Sequence, residues 1–294
     1  MRTFLLSCFI LFFGITISAQ ETQLKEDVLE QMLKPRVTFD SSYISDAEVS
    51  SGGGSVAVAK NRIAVANKLG SISYTNWSFL WSNIEALPFG NGVENPIEQM
   101  HSVKISGNIP YFINEKWFWL TSLSLSSTFE KEMQDSYGAG FFSFASYKLS
   151  DDHSIQMGAF ANYHPTATFG LPVMSYSYRA RQHDGLQFVL GFPRTYVGYY
   201  ISDTTLLRFG MIYSQSLIKL SDTSTIEAAG YIEAKDYMSN LGISYTFDSQ
   251  ITLETDILYS IKREFTLYNS GADEGESYTI APSLGAALRL KYLF

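Results

Sequence analysis

The amino-acid sequence predicts an all-β protein, a transmembrane antiparallel up-and-down β-barrel of about 12 to 14 strands. Segments of strand length alternate apolar and polar side chains along nearly the whole chain. Aromatic residues make up 15% of the sequence, yet no stretch after the N-terminus approaches the roughly 18 apolar residues of a membrane helix. Short and long connections alternate, which is typical of the two ends of a membrane barrel.

The first 35 residues are predicted to precede the barrel. Residues 1–19 carry an early positive charge, an apolar core at Phe4–Ile17 and small residues before Gln20, which is the pattern of a cleaved signal peptide and is too short for an anchor. Residues 20–35 form a short lead-in with helical spacing that ends at Pro35, either a simple connection or a small plug. The barrel is then expected at residues 36–294.

From Arg36 onward, a period of two predicts one strand after another. The best patterned is Ile251–Leu267, and the weakest are the first strand and the pair Gly185–Phe192 and Thr195–Ile201. The fourteen predicted strands lie, in order, at Val37–Tyr43, Val56–Ala66, Ser71–Asn83, Ser102–Tyr111, Lys116–Phe129, Tyr137–Leu149, Ser154–Tyr163, Pro172–Arg181, Gly185–Phe192, Thr195–Ile201, Leu207–Ser214, Leu241–Phe247, Ile251–Leu267 and Tyr278–Phe294.

Two of these strands indicate which face meets lipid and which meets water. The third has Trp77, Phe79 and Trp81 on one face near its end, which predicts an aromatic belt at the membrane interface. The fifth has Ser122, Ser124 and other hydroxyl side chains on one face, which suits a hydrated lumen.

The closing strand, Tyr278–Phe294, is predicted to be continuous. Its apolar face runs from Tyr278 and Ile280 to the aromatic last residue. Arg289 and Lys291 fall on the opposite face, which predicts that they point into the lumen.

Charged residues on the polar faces of the strands are the candidate lumen residues. They are Lys104, Arg208, Glu254, Asp256, Lys262, Glu264, Arg289 and Lys291. Glu254 and Asp256 are expected to pair with Arg289 and Lys291, because the strands that hold them are consecutive. Two hypotheses remain open: an ion-pair network that stiffens the interior, or a charged constriction that selects small polar or ionic solutes.

Several function classes are disfavoured. The only cysteine, Cys8, lies in the predicted signal peptide, so disulfide and thiol chemistry are not expected in the mature chain. Removal of Arg2 leaves a net charge of 20 − 29 = −9, whereas nucleic-acid binding needs the opposite sign. The four histidines form no metal-binding pair, and His101 and His153 are followed directly by serine, not in the His-x-Ser spacing of a barrel lipase. We therefore expect no catalytic site, no cofactor and no bound metal.

The signal peptide, the alternating strands and the terminal Leu288–Phe294 resemble outer-membrane β-barrel proteins of Gram-negative bacteria, in particular uncharacterised families common in Bacteroidota. The resemblance implies an outer-membrane location, with membrane lipid, periplasmic chaperones and the barrel-assembly machinery as partners. It also implies that Leu290, Tyr292 and Phe294 form the signal that this machinery recognises. The leading functional hypothesis is a passive or weakly selective pore, or a structural barrel. The alternatives are an outer-membrane enzyme acting on lipid and a soluble periplasmic β-protein.

Overall fold

The computed structural model describes residues 33–164, 166–179, 185–248 and 250–294. The predicted signal peptide and all but the last three residues of the predicted lead-in lie outside the described residues. No helix in the described ranges is long and apolar enough to cross a membrane. The strands are β1 Arg36–Glu48, β2 Ser55–Asn67, β3 Gly70–Ser82, β4 Gln99–Phe112, β5 Trp117–Phe129, β6 Tyr137–Lys148, β7 His153–Tyr163, β8 Thr168–Arg179, β9 Gly185–Phe192, β10 Arg194–Ser202, β11 Thr205–Lys219, β12 Tyr231–Thr246, β13 Ile251–Tyr268, β14 Glu274–Ile280 and β15 Ser283–Leu293, with one short 3-10 helix at Ile84–Ala86.

The strands close into a single antiparallel barrel. Each strand from β1 to β13 pairs with the next one in the chain, and β15 closes the ring by pairing with both β13 and β1. Because β14 and β15 follow one another along the same edge of β13, they occupy one position in the wall. The described wall therefore has fourteen positions, which confirms the predicted up-and-down barrel and the upper end of the predicted strand count.

Along most of the wall the outward face is apolar and the inward face is polar. Exposed outward side chains include Ile72 at 53%, Leu125 at 53% and Ile257 at 62%, an arrangement that a membrane stabilises and water does not. Their inward neighbours are residues such as Ser73 and Ser124. This distribution favours the membrane barrel over the soluble β-protein.

The two ends of the barrel differ. At the short-turn end lie the start of β1, the end of β15 and the tight connections, for example between Asn67 and Gly70. At the long-loop end lie the connections at residues 49–54, 83–98, 130–136, 164–167, 220–230 and 269–273. One connection at that end consists of Pro193 alone, because the β9–β10 hairpin stops short.

Near the long-loop end, three neighbouring strands carry an irregularity at the same level. The register of β1 shifts between Ile44 and Ala47, and β13 holds Ile261 as an extra residue. The predicted continuous strand Tyr278–Phe294 is broken at Ala281–Pro282 into β14 and β15, since proline has no N–H to donate to a ladder. One extra residue in a period of two turns every later side chain to the other face.

Beyond this level the apolar and polar faces exchange. Tyr278 and Ile280, which the sequence puts on the outward apolar face, point inward and are 5% and 1% exposed. Lys262 and Glu264 lie on the outer face, where they form an ion pair of 2.9 Å. Apolar side chains gain by turning inward wherever the outside of the wall meets water and not lipid. The exchange therefore indicates that one boundary of the membrane lies near the irregularities.

The inward apolar residues at the long-loop end form one buried group, which we call the apolar cluster. Its members are Ala47, Val49, Val56, Val58, Phe79, Phe89, Ile97, Met100, Ile218, Leu220, Ile232, Phe265, Tyr278 and Ile280. Trp77 and Trp81 pack against it. The prediction that Trp77, Phe79 and Trp81 form an interfacial belt is therefore wrong, because their face of β3 is the inward one.

Candidate functional site

Below the apolar cluster, a network of ion pairs crosses the inward faces of β1, β11, β13 and β15. Glu254 of β13 is its centre and accepts hydrogen bonds from Arg289, at 3.1 Å, and from Lys291. Arg208 of β11 contacts the same carboxylate at 2.5 Å and Asp256 at 2.7 Å. The predicted pairing of Glu254 with Arg289 and Lys291 is present, whereas Asp256 pairs with Arg208 because its neighbour on β15 is Ala287.

The network extends to two residues that are not among the predicted lumen charges. Asp40 of β1 bonds Arg289 and lies 3.3 Å from Arg62 of β2. The signal for them was available: Asp40 follows the outward Phe39, and Arg62 precedes the outward Ile63, so both fall on a polar face. Glu254 is only 3% exposed and has three cationic partners. Removing one member of such a buried network leaves the remaining charges desolvated without a partner, which is costly. We therefore expect the network to hold these strands of the wall rigidly together.

Three further candidates need separate description. Lys104 is on the inward face of β4, but it has no ion-pair partner among the described residues. Lys262 and Glu264 are outside the barrel, as described above. Arg263, next to Lys262 on β13, points inward beyond Ile261 and lies 3.5 Å from Asp236.

A second region of the lumen is open to water and holds unpaired positive charge. A cavity of about 230 Å³, the polar chamber, is lined by Arg62 and Lys104 and by serines of β3, β4 and β5. Lys60 of β2 lies one inward position from Arg62, with its Nζ 5.2 Å from the Trp77 ring centroid. Lys60 and Lys104 are exposed although both point inward, which requires space for solvent inside the wall.

The charge of this interior opposes that of the whole chain. The side chains of the ion-pair network, Lys60 and Lys104 beside it, and the inward pair Arg263 and Asp236 comprise seven positive and four negative charges, a surplus of three positive charges. The positive ones are Lys60, Arg62, Lys104, Arg208, Arg263, Arg289 and Lys291, and the negative ones are Asp40, Asp236, Glu254 and Asp256. The chain as a whole has a net charge of −8. The lumen thus concentrates positive charge within an acidic protein.

The apolar cluster separates this hydrated section from the long-loop end. The loop at residues 83–98 enters the barrel, where the Ile97 carbonyl accepts a hydrogen bond of 2.6 Å from the Trp81 indole. Phe89 of the same loop packs on Trp81 at 5.7 Å and on Tyr278 at 5.1 Å between ring centroids. An apolar barrier of this kind excludes water and ions.

Neighbouring loops pack beside the cluster around two buried titratable groups. The Glu130 carboxylate accepts a hydrogen bond of 2.8 Å from the Ser221 N–H, and burial raises the pKa of Glu130. His164 is 5% exposed, its ring lies edge-on to Tyr231 at 5.3 Å, and burial lowers its pKa. We therefore expect the packing of these loops to depend on pH.

The predicted assembly residues lie at the end of β15. Leu290 and Phe294 are exposed on the outside of the wall, and the Phe294 ring meets that of Tyr292 edge-on at 4.7 Å. Their role in assembly, and the partners that it implies, stay predictions.

Neither a protein-family model nor a curated protein matches the chain. Similar solved structures include an outer-membrane channel from Pseudomonas putida, with 7% identity and a TM-score of 0.46 over 89% of this chain and 96% of that chain. The NanC porin has 9% identity and a TM-score of 0.41, over 87% and 98% of the two chains. The translocator domain of the autotransporter NalP from Neisseria meningitidis has 11% identity and a TM-score of 0.39, over 92% of both. At these identities the likeness concerns the fold alone, and the resemblance to Bacteroidota families stays a prediction.

Proposed function

We propose that the chain is an outer-membrane channel with a hydrated, anion-preferring lumen that an apolar barrier closes at rest. The observation that carries this proposal is the exposure of Lys60 and Lys104 inside the barrel. Charged side chains without carboxylate partners are stable there only if water or mobile anions solvate them. A purely structural barrel would instead fill its interior with paired or apolar groups.

The orientation of the channel follows from its loops. In outer-membrane barrels the tight turns face the periplasm and the long loops face the outside. The apolar cluster then lies at the extracellular end, and the polar chamber opens toward the periplasm. Opening requires the loop at residues 83–98 to leave the cluster, so we expect rare openings in the resting protein.

The selectivity of these openings tests the proposal. An anion about 5 Å from one positive charge in water gains about 0.8 kcal/mol, which screening at 0.1 M salt reduces to about 0.5 kcal/mol, or about twofold in local concentration. In planar bilayers under a salt gradient, the reversal potential should indicate a preference for chloride. Because the same charge repels potassium to the same extent, Lys104→Gln should lower the chloride-to-potassium permeability ratio about fourfold.

Lys116→Gln is the matched control, because Lys116 is an exposed residue of a tight turn outside the lumen. It should leave the permeability ratio unchanged. A wild-type preference for cations, or equal effects of the two substitutions, would reject the proposal. No specific observation favours the alternative of an enzyme acting on lipid.

A further inference from the structure

The barrel wall has a gap between β8 and β11. The β9–β10 hairpin reaches only to Phe192 and Arg194, so β9 covers β8 from Met174 onward and β10 covers β11 up to Ile212. Beyond the hairpin tip, no described residue pairs with the free edge of β8 at 168–173. The edge of β11 that faces β10 is likewise unpaired after Ile212 among the described residues, until Lys219 pairs with Phe129 of β5. We call this gap the wall opening.

The wall opening lies at the outer boundary of the membrane. On the outer face, the Phe192 ring at the hairpin tip stacks on Tyr213 at 6.0 Å, and Tyr213 meets Tyr237 at 4.8 Å. The next outward pair beyond these aromatic residues is Gln215 and Lys235, which are polar. Unpaired backbone groups are tolerated at this level, since water is within reach, but not in the hydrocarbon region.

Behind the wall opening is a cavity of about 260 Å³ that is lined almost entirely by apolar side chains. Inward residues of β7 and β8 form its wall and the hairpin tip forms its floor. The residues that matter here are Phe160, Phe169, Leu171, Val173, Phe192 and Tyr213. Because Phe192 and Tyr213 belong to the outer face and the other four to the inner face, the cavity crosses the wall.

The cavity also adjoins the lumen. Phe142 and Phe160, which are direct neighbours on β6 and β7, line both this cavity and the polar chamber. The two rings are therefore the partition between an apolar space that faces the membrane and a hydrated space that holds Lys104. A molecule in the first space needs only to displace these side chains to reach the second.

We propose that this cavity binds a small apolar molecule, such as a short alkane, that enters through the wall opening from the surrounding bilayer. Its volume exceeds the roughly 150 Å³ of an apolar protein cavity that accommodates benzene. Ser214 and Gln215 are the polar lining residues, so most of the ligand's contacts would be with hydrocarbon and aromatic groups.

The level of the wall opening favours a free molecule over the acyl chain of a membrane lipid. A lipid keeps its head group at this level and directs its chains toward the centre of the bilayer, away from the opening. A free alkane has no head group and moves laterally. This binding site does not depend on conduction, so its test is separate from that of the proposed channel.

Photolabelling with an alkane that carries a diazirine tests the site in protein reconstituted into lipid nanodiscs. We expect labelling of segments 168–173 and 213–215, and competition by decane. Excess decane at ten times its Kd should reduce this labelling about tenfold, whereas labelling of lipid-facing segments such as 253–259 should change little. A phospholipid that carries the same diazirine in its acyl chain should not label 168–173 in a decane-sensitive manner.

Val173→Trp fills the cavity and should abolish the decane-sensitive labelling, whereas Val197→Trp, the same change on the lipid-facing surface of β10, should preserve it. Heat-modifiable gel mobility shows whether each variant folds. If Val173→Trp does not fold, competition between decane and the probe in the wild-type protein still tests the binding site. Labelling that decane does not reduce, labelling absent from both segments, or decane-sensitive labelling by the phospholipid would each overturn the proposal.

Discussion

Truncation of Ile97 should open the channel, because this side chain is a loop residue that closes the lumen from inside. Ile97 is 2% exposed within the apolar cluster and belongs to the loop at residues 83–98, which must leave for the lumen to open. Truncating a buried isoleucine to alanine costs about 2 to 5 kcal/mol, and a loop site that can relax falls near the lower value. If Ile97 is exposed to water in the open state, its truncation raises the free energy of the closed state alone. A loss of about 2 kcal/mol then raises the ratio of open to closed channels about 30-fold.

Single-channel recording of Ile97→Ala in planar bilayers measures that ratio directly as an open probability. Val93→Ala is the matched control, because Val93 belongs to the same loop and is 78% exposed, so its truncation removes no buried contact. Both variants should keep the heat-modifiable mobility of a folded barrel. An open probability that is the same in Ile97→Ala as in Val93→Ala would refute the reasoning that the apolar cluster is the barrier.

Two further predictions concern stability and pH. Glu254→Gln should lower the free energy of unfolding by about 3 to 5 kcal/mol in denaturant titrations, since it leaves Arg208, Arg289 and Lys291 without their shared carboxylate, while Glu264→Gln at the outer surface should cost less than about 1 kcal/mol. Equal costs would show that the buried network does not hold the wall together. Because the pKa of His164 is lowered by burial, its contribution to loop packing is present above the usual histidine pKa and is lost as pH falls through the lowered value. The protection factors of the amides in residues 164–167, which are the exchange rates corrected for the intrinsic rate at each pH, should therefore fall on acidification in the wild type but not in His164→Phe. Identical profiles of protection factor against pH would exclude His164 as the cause.

The sequence predicted much of the lumen because period-two alternation holds wherever one side of a strand faces lipid and the other faces water. Lys104, Arg208, Glu254, Asp256, Arg289 and Lys291 lie on such regular stretches, and their inward direction follows from parity. The pairing of Glu254 with Arg289 and Lys291 could be anticipated because β13 and β15 are antiparallel neighbours. The detailed partner of Asp256 could not, since it depends on a side chain from β11, two wall positions away.

The same rule fails beyond Ile261, and the failure has a physical origin. A single extra residue leaves no mark in the alternation of apolar and polar letters, because the apolar face merely turns from lipid to the interior. Lys262, Glu264, Tyr278 and Ile280 were therefore placed on the wrong side. Pro282 was the visible signal, since a residue without an N–H interrupts a ladder.

The sequence alone determined the fold class, an up-and-down barrel of about fourteen alternating strands. The alternation of apolar and polar residues is a local property, because each short segment of the sequence shows by itself whether its side chains repeat with a period of two. Tertiary structure alone decided whether the lumen is filled, paired or open, because that depends on side chains brought together from distant strands. The apolar cluster, the polar chamber and the wall opening all arise from such contacts. The wall opening in particular exists because the β9–β10 hairpin is shorter than the strands that flank it, a difference that matters only once β8 and β11 stand side by side.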